Sequence, residues 1–273
     1  MSNVIIFYDI PSDKTPGKSW SPNCWKTRQA LNPTLAVRLV LIKQPNNRFS
    51  LNYKGLPYKT VWVEYPDIAP TFKAAGIPPS SIKPDGTPVY TCPAIYDPAT
   101  KTSVSESALI AEYLDKQYPN TPRLFPVGSH ALQYAFLDKF FSSVVPLLRF
   151  ALPPSYWMLN KESDAYFRTT REAMFGMTME NMTPTGAERE VEWAKVKAVF
   201  NTVDGWLQSA KADGPYLLGK GPGFADLVLA SFVWWMKNIW GDGSVEWEDI
   251  KTWNEGRWVK YLDGLKAYQT VTV

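Results

Sequence analysis

The most constraining feature of this chain is a short apolar segment near its start, followed by a serine and a proline. Val4 to Asp9 is rich in β-branched and aromatic residues, which predicts a buried strand. The sequence Ser-Pro-Asn-Cys-Trp-Lys follows at residues 21–26. A proline at a first helical position loses no hydrogen bond, so we expect a helix to begin at Pro22. The free N–H groups and dipole of that helix would favour an anion beside Ser21.

Two interpretations of Ser21 remain open on these residues. The stretch resembles the Cys-Pro-x-Cys turn of thioredoxin-fold proteins, with Ser21 in place of the first cysteine. That replacement removes dithiol redox chemistry but keeps a hydroxyl that can hold the sulfur of a bound thiol. Alternatively, Ser21 only caps a helix.

Composition excludes several other classes of function. With 45% hydrophobic and 20% charged residues, the 273-residue chain is typical of a globular protein with one large or two ordinary domains. A net charge of +3 without a basic run argues against a nucleic-acid partner. The single histidine, His130, argues against a histidine-based metal site and a Ser-His triad.

We expect a cytoplasmic protein, because the sequence shows no secretory signal and few cysteines. The N-terminus has no basic segment followed by an apolar one, so no secretory signal is expected. The apolar stretch from Leu227 to Met236 is too short to span a bilayer. The two cysteines, Cys24 and Cys92, are too few for a disulfide framework, which fits a reducing compartment.

The first half of the chain alternates strands and helices, and the second half is helical in pattern. We expect strands at 59–65 and 88–97, the latter interrupted by Pro93, with a hairpin partner at 100–104. Gly55 is expected to end a helix and residues 108–118 to form another. A further helix is expected at 130–148, and Pro153-Pro154 is expected to break this helical run. Other helices are expected at 164–175, 188–212, 224 onward and 253–267.

Four motifs occur in one order and together resemble a cytosolic glutathione transferase. They are Ser-Pro-x-x-Trp at 21–25, Tyr-Thr-Cys-Pro-Ala-Ile at 90–95, Ser-Glu-Ser at 105–107 and Gly-Pro-Gly-Phe-Ala-Asp at 221–226. More narrowly, residues 21–28 are similar to the fungal etherase-like class, the GSTFuA group, which is related to glutathione-dependent β-etherases. The resemblance implies a thioredoxin-like α/β domain at 1–119, a linker at 120–129 and an all-helical domain at 130–273. It also implies glutathione as co-substrate, no metal, and a homodimer.

The resemblance assigns roles to individual residues. A cis Pro93 would present the backbone of Cys92 to glutathione, while Glu106 and Ser107 would fix its γ-glutamyl end. An ordinary helix cap is the alternative for the last two. Ser21 would bond the sulfur and lower the pKa of the thiol. The resemblance also suggests Asn23 as a second donor and a hydrophobic substrate site between the domains, for which we name Phe150, Tyr156, Trp157 and Phe175.

Two functions follow from this resemblance. The first is an enzyme that attacks aromatic electrophiles or aryl ethers with the glutathione thiolate. The second is a ligandin that carries aromatic metabolites such as wood extractives with little turnover, for which the aromatic content of 14% is a further reason. A fold without an active site is a third possibility, against which the intact motifs argue.

Residues 29–50 depart from the family. Members pass from the first helix to the second strand with a much shorter crossover. In this chain the pieces of that crossover sequence are present but separated. The segment is either a surface loop beside the glutathione site or a translated intervening sequence.

Overall fold

A computed structural model describes residues 4–15, 17–21, 25–26 and 45–271 of the chain. It contains a four-stranded mixed sheet with helices, followed in sequence by a larger all-helical part. This confirms the expected fold class, a thioredoxin-like α/β domain followed by an all-helical domain. Among the described residues, no helix is long and apolar enough to cross a membrane.

The central sheet has the strand order β4-β1-β7-β8. Its strands are β1 (Ile5–Asp9), β4 (Tyr58–Trp62), β7 (Ala94–Asp97) and β8 (Thr102–Ser105). β1 pairs in parallel with β4, and antiparallel with β7, which pairs antiparallel with β8. The apolar side chains of β1 alternate between buried and half-buried, so the predicted first strand is confirmed.

Two further strand pairs are short. They are β2 (Trp25–Lys26) with β3 (Pro45–Asn46), in parallel, and β5 (Ser81–Ile82) with β6 (Pro88–Val89), antiparallel. The helix expected from Pro22 onward is therefore wrong at Trp25–Lys26, because that backbone pairs with another segment instead of bonding within a turn. Pro22 itself lies outside the described residues.

Within the described ranges, three helices accompany the sheet: α1 (Asn47–Tyr53), α2 (Ile68–Ala74) and α3 (Ser107–Gln117). α1 ends as predicted, since Gly55 follows it with a φ of 65°, in the left-handed region that glycine adopts without a steric cost.

The second half of the chain forms the helical part. Its helices are α4 (His130–Ser143), α5 (Leu147–Trp157), α6 (Lys161–Phe175), α7 (Met179–Met182), α8 (Gly186–Ser209), α9 (Phe224–Trp240), α10 (Val245–Thr252) and α11 (Arg257–Gly264). α9 is buried along most of its length and forms the centre of this part.

The prediction that Pro153-Pro154 breaks the helix is wrong. The break lies earlier, between α4 and α5, and both prolines stand inside α5. A proline at 153 cannot donate to the carbonyl of Arg149, and that carbonyl instead accepts a hydrogen bond from the Thr183 hydroxyl at 3.3 Å. A side chain from outside the helix thus supplies the missing donor.

The single helix expected at 253–267 is also wrong. Residues 253–256 form a 3₁₀ turn in which Asn254 and Glu255 have φ values of 52° and 59°. Two successive left-handed residues cannot continue a right-handed helix, so the chain divides into α10 and α11.

Candidate functional site

Three chain segments meet at one end of the strands, which we call the sheet edge. In the β7–β8 register Ala94 lies opposite Ser105, so the residues next to that pair, Pro93 and Glu106, are neighbours. In the β1–β7 register Tyr8 lies opposite Ala94, which brings the end of β1 to the same edge. The peptide bond between Cys92 and Pro93 is cis, as the resemblance implied.

Glu106 and Ser107 stand where β8 passes into α3. Glu106 precedes the helix with a φ of 72°, which is unusual for a residue other than glycine. Its carboxylate accepts a hydrogen bond from the N–H of Leu109 at 3.3 Å, as a helix cap does. Ser107 is the first residue of the helix and is fully buried. The N-terminus of α3 therefore faces this edge with its positive dipole end.

Ser21 comes at the end of a compact loop that leaves β1. The loop closes on itself, because the N–H of Ser12 donates to the carbonyl of Lys18 at 2.8 Å. The indole N–H of Trp20 donates to the carbonyl of Pro11 at 3.2 Å, and Trp20 is almost fully buried. Ser21 is also fully buried. The structure thus fixes the backbone on the N-terminal side of Ser21.

The same loop contacts the helical part. The Ser12 hydroxyl donates to the carbonyl of Met158 at 2.6 Å, and the Lys14 ammonium donates to the carbonyl of Trp157 at 2.5 Å. Both acceptors lie at the end of α5. A cleft of about 460 Å³ opens there between the loop and the corner that joins α5 to α6. It is lined by Asp13, Lys14, Tyr156, Trp157, Leu159, Asn160, Lys161, Glu162 and Asp164.

The four residues named for a hydrophobic substrate site lie in different places. Tyr156 and Trp157 both line the cleft, and Trp157 is 55% exposed. Phe150 is buried in the helical core, where its ring lies 4.9 Å from that of Trp193. Phe175 is half-buried against the core and does not line this cleft.

The hydroxyl of Tyr156 lies between two charged groups. A hydrogen bond with Asp164 raises the pKa of Tyr156, with burial as a further cause. Arg168 donates to the same oxygen from Nε at 3.1 Å, and its guanidinium carbon lies 4.5 Å from the centre of the Tyr156 ring. The hydroxyl therefore stays protonated near neutral pH. Sequence patterns missed Lys14, Asp164 and Arg168, since their roles depend on contacts across the fold.

The described residues offer no alternative thiol or metal chemistry. Cys92 is fully buried, and burial raises the pKa of its thiol well above the ordinary value, with the charge of Asp9 as a second cause. No group of three or more His, Cys, Asp or Glu side chains in the described ranges could hold a metal ion. Asn23, predicted as a second donor to the sulfur, lies outside the described residues.

Comparison with family models assigns both halves of the chain to one family. Residues 131–268 match the model of the glutathione S-transferase C-terminal domain, and residues 46–122 match that of the N-terminal domain. Similar proteins include the glutathione S-transferase-like protein ustS of Aspergillus flavus. It is 32% identical over 262 residues, which cover 91% of this chain and 83% of that protein.

Solved structures that are similar over nearly their whole length include two fungal glutathione transferases. The glutathione S-transferase CsGST63524 of Ceriporiopsis subvermispora, in complex with glutathione, has 41% sequence identity and a TM-score of 0.86, covering 99% of both chains. Glutathione transferase GSTFuA3 of Phanerochaete chrysosporium has 37% identity and a TM-score of 0.84, again over 99% of both chains.

Proposed function

This chain belongs to the glutathione S-transferase family, and we propose that it binds glutathione at the sheet edge and activates its thiol with Ser21. The thiolate then attacks an aromatic electrophile or an aryl ether in the cleft beside the loop. Glutathione is the co-substrate and no metal takes part in the step.

The backbone of Glu106 is the observation that carries this proposal. A left-handed φ at a residue with a long side chain costs roughly 1–3 kcal/mol and persists where the surroundings demand it, often at ligand sites. Here it turns the chain from β8 into α3 and holds the carboxylate beside the helix N-terminus. In the proposed complex Glu106 takes the ammonium of the γ-glutamyl group, and the N–H of Ser107 takes its carboxylate.

The position of the Cys92 backbone supports the proposed placement of the cysteinyl part of glutathione. The N–H and carbonyl of Cys92 precede β7 at the edge where the residues after β8 begin α3. An extended peptide can pair with a backbone segment at such a position as an added strand. The sulfur would then point toward the loop that ends at Ser21.

The reaction requires few groups from the protein. The Ser21 hydroxyl donates to the sulfur, and this bond favours the thiolate over the thiol, whose proton leaves to solvent. The sulfur lone pair then forms a bond to the electrophilic carbon, and the leaving group departs with the electrons of its own bond. The protein contributes orientation and electrostatic stabilisation.

The cleft has the chemistry of a site for a flat molecule with polar substituents. The exposed indole of Trp157 provides an aromatic wall, and an aromatic pair of this kind contributes about 0.5–1.5 kcal/mol beyond area burial. Lys14, Lys161 and Asn160 lie in the same lining and can bond a phenol, ketone or carboxylate. We therefore propose aryl compounds with oxygen substituents as the second substrate.

Glutathione affinity and turnover of Ser21→Ala test the thiol-activating role. We expect glutathione binding by calorimetry to change little, while kcat/KM for an aryl ether falls roughly 100-fold or more. Ser231→Ala is the matched control, because Ser231 is equally buried but bonds within α9. Full turnover in Ser21→Ala would exclude a serine-type site, and no glutathione binding by the unmodified chain would exclude the proposed function.

A ligandin is the second candidate, favoured by the exposure of Trp157 in a cleft with several charged groups. Fluorescence titration with a hydroxylated aryl ketone would measure uptake. Trp157→Ala should weaken the binding of this ligand, whereas the control Leu132→Ala, at an exposed site on α4, should not. Tight uptake without turnover of any aryl ether would favour the ligandin over the enzyme.

A further inference from the structure

An ion pair is buried at the end of β1, directly before the loop that leads to Ser21. Asp9 and Arg48 are both fully buried, and Oδ2 of Asp9 accepts a hydrogen bond from Nη2 of Arg48 at 2.8 Å. The same oxygen accepts a bond from the Ser19 hydroxyl at 3.2 Å. The second carboxylate oxygen accepts the N–H of Ile10 at 2.7 Å. One carboxylate thus bonds both the first residue of the loop and a residue near its end.

The arginine of the pair is held by aromatic rings. Its guanidinium carbon lies 5.0 Å from the ring centre of Phe7, 5.5 Å from Tyr58 and 5.4 Å from Trp62. Burial alone would lower the pKa of Arg48, but Asp9 and Tyr58 outweigh burial and the pKa is raised. Arg48 therefore remains a cation and neutralises the buried carboxylate.

Asp9 adjoins both segments that would hold the cysteinyl part of glutathione. Ser19, which bonds Asp9, stands two residues before Ser21. Because Tyr8 lies opposite Ala94 in the β1–β7 register, Asp9 is next to Pro93 across the sheet. The charge of Asp9 also acts on the thiol of Cys92, directly before that proline. The groups that face Asp9 are therefore the Arg48 cation of α1, the Ser19 hydroxyl and the Cys92 thiol. The Tyr58 hydroxyl is joined to Asp9 through Arg48.

A buried carboxylate in this place has two opposite effects on a thiolate. Through Ser19 it fixes the loop whose last residue is to bond the sulfur. Its negative charge, however, disfavours a second anion nearby, because interactions between charges are strong where water is excluded. A cation at hydrogen-bond distance cancels that field and leaves only the anchoring effect.

We propose that Asp9 and Arg48 are positioning residues for the glutathione thiol, the first anchoring the Ser21 loop through Ser19 and the second cancelling the charge of that anchor. This inference rests on the proposed function and adds two residues that act on the sulfur only through others. Neither touches the substrate in this role.

The pKa of the bound thiol tests the proposal, since the ultraviolet absorbance of the thiolate can be titrated in the binary complex. Asp9→Asn leaves Arg48 uncompensated and should lower the thiol pKa by about one unit. Arg48→Met leaves Asp9 uncompensated and should raise it by about as much. The double variant Asp9→Asn/Arg48→Met should return the pKa to that of the unmodified protein, because the local charge is again balanced.

Ser19→Ala tests the anchor without a change of charge. We expect the thiol pKa to rise, because the Ser21 hydroxyl is held less firmly against the sulfur, and kcat to fall roughly 10-fold through looser positioning. Ser19→Thr should restore both. Lys54→Met is the matched control for a lost buried ion pair. Lys54 bonds Asp115 at 2.7 Å with its side chain fully buried, at the end of α3 away from the sheet edge. Lys54→Met should reduce stability without moving the thiol pKa.

The outcomes separate this inference from the proposed function. If the unmodified protein binds glutathione without lowering its thiol pKa, the serine-type site is wrong. If it lowers that pKa but the two single variants shift it in the same direction, or not at all, the pair is only structural. Should either single variant fail to fold, the double variant and Ser19→Ala decide. A shifted pKa in the double variant, or full activity in Ser19→Ala, would overturn the proposal.

Discussion

The backbone N–H of Asp13 donates a hydrogen bond to Oδ1 of Asn160 at 2.9 Å. This contact joins the loop that ends at Ser21 to the residue before α6. The amide of Asn160 also donates from Nδ2 to Glu64 at 2.9 Å, in the segment that follows β4. A single side chain therefore connects two parts of the sheet domain to the wall of the cleft.

We expect Asn160→Ala to affect the second substrate more than glutathione. The substitution removes both bonds, so the KM for an aryl substrate should rise several-fold and the free energy of unfolding should fall by about 1–2 kcal/mol. The KM for glutathione should change less. Steady-state kinetics with each substrate varied in turn would measure this, with exposed Asn120→Ala as control. Equal changes in both KM values would show that Asn160 does not act through the cleft.

Thr183→Val should reveal how α5 accommodates Pro153. The Thr183 hydroxyl donates to the Arg149 carbonyl, which Pro153 leaves without its helical donor. Its loss should lower the free energy of unfolding in urea by about 1 kcal/mol. Pro153→Ala restores an N–H at position 153, so the same valine substitution should cost less in that background. Thr202→Val, whose hydroxyl bonds within α8, serves as control, and an identical cost in both backgrounds would contradict the explanation.

Asp226 should make stability depend on pH. Its buried carboxylate accepts bonds from the N–H groups of Leu217 and Gly223 at 2.8 Å and from the Tyr261 hydroxyl at 2.5 Å. Burial nevertheless raises the pKa of Asp226 to about 6. Because the unfolded value is near 4, the folded state binds the proton more tightly. The contribution to stability is therefore full below pH about 4 and is lost as the pH rises through about 6.

Urea unfolding of Asp226→Asn across this range would measure the effect. As the pH falls from about 7 to about 4, the unmodified protein should gain on the order of 2 kcal/mol relative to the variant. The comparison cancels the titration of other carboxylates. Exposed Asp263→Asn should show no such difference, and parallel curves for the unmodified chain and Asp226→Asn would contradict the raised pKa.

The pattern Arg-x-x-Leu-Asn occurs twice in this chain, at 28–32 and, twenty positions later, at 48–52. In the second copy every matching residue has a structural role. The arginine pairs with a buried carboxylate, the leucine is fully buried, and the asparagine donates to two carbonyls near the C-terminus at 2.7 and 2.8 Å. Removal of residues 29–48 places Arg28 three positions before Leu51, in the register of Arg48.

We therefore expect the chain without residues 29–48 to fold and to bind glutathione. Arg28→Ala in the shortened chain should lower the free energy of unfolding by about 3 kcal/mol, as Arg48→Ala should in the full chain, because each leaves Asp9 buried without its cation. Mass spectrometry of the native protein would show whether peptides from residues 29–48 exist. Loss of glutathione binding in the shortened chain would make the segment a required part of the site.

Local patterns predicted much of the fold, and the site residues that they suggest stay a prediction. The alternation of β1, the glycine after α1 and the motifs around Pro93 and Glu106 each depend on residues adjacent in sequence, where propensity and capping act. Local patterns failed at Trp25–Lys26, at Pro153-Pro154 and at residues 253–256. In the first case a distant segment supplies the backbone partner, and in the second a distant threonine supplies the donor.

The sequence by itself determined the family and the fold class, and its motifs predict which residues recognise glutathione. Only the tertiary structure decided which side chains meet. It pairs Asp9 with Arg48, separated by 39 positions, and joins Asp13 to Asn160, separated by 147. It also exposes Trp157 in the cleft while burying Phe150 in the core. The physical reason is that burial and long-range hydrogen bonds depend on how elements pack, and the local sequence of each element does not specify its neighbours.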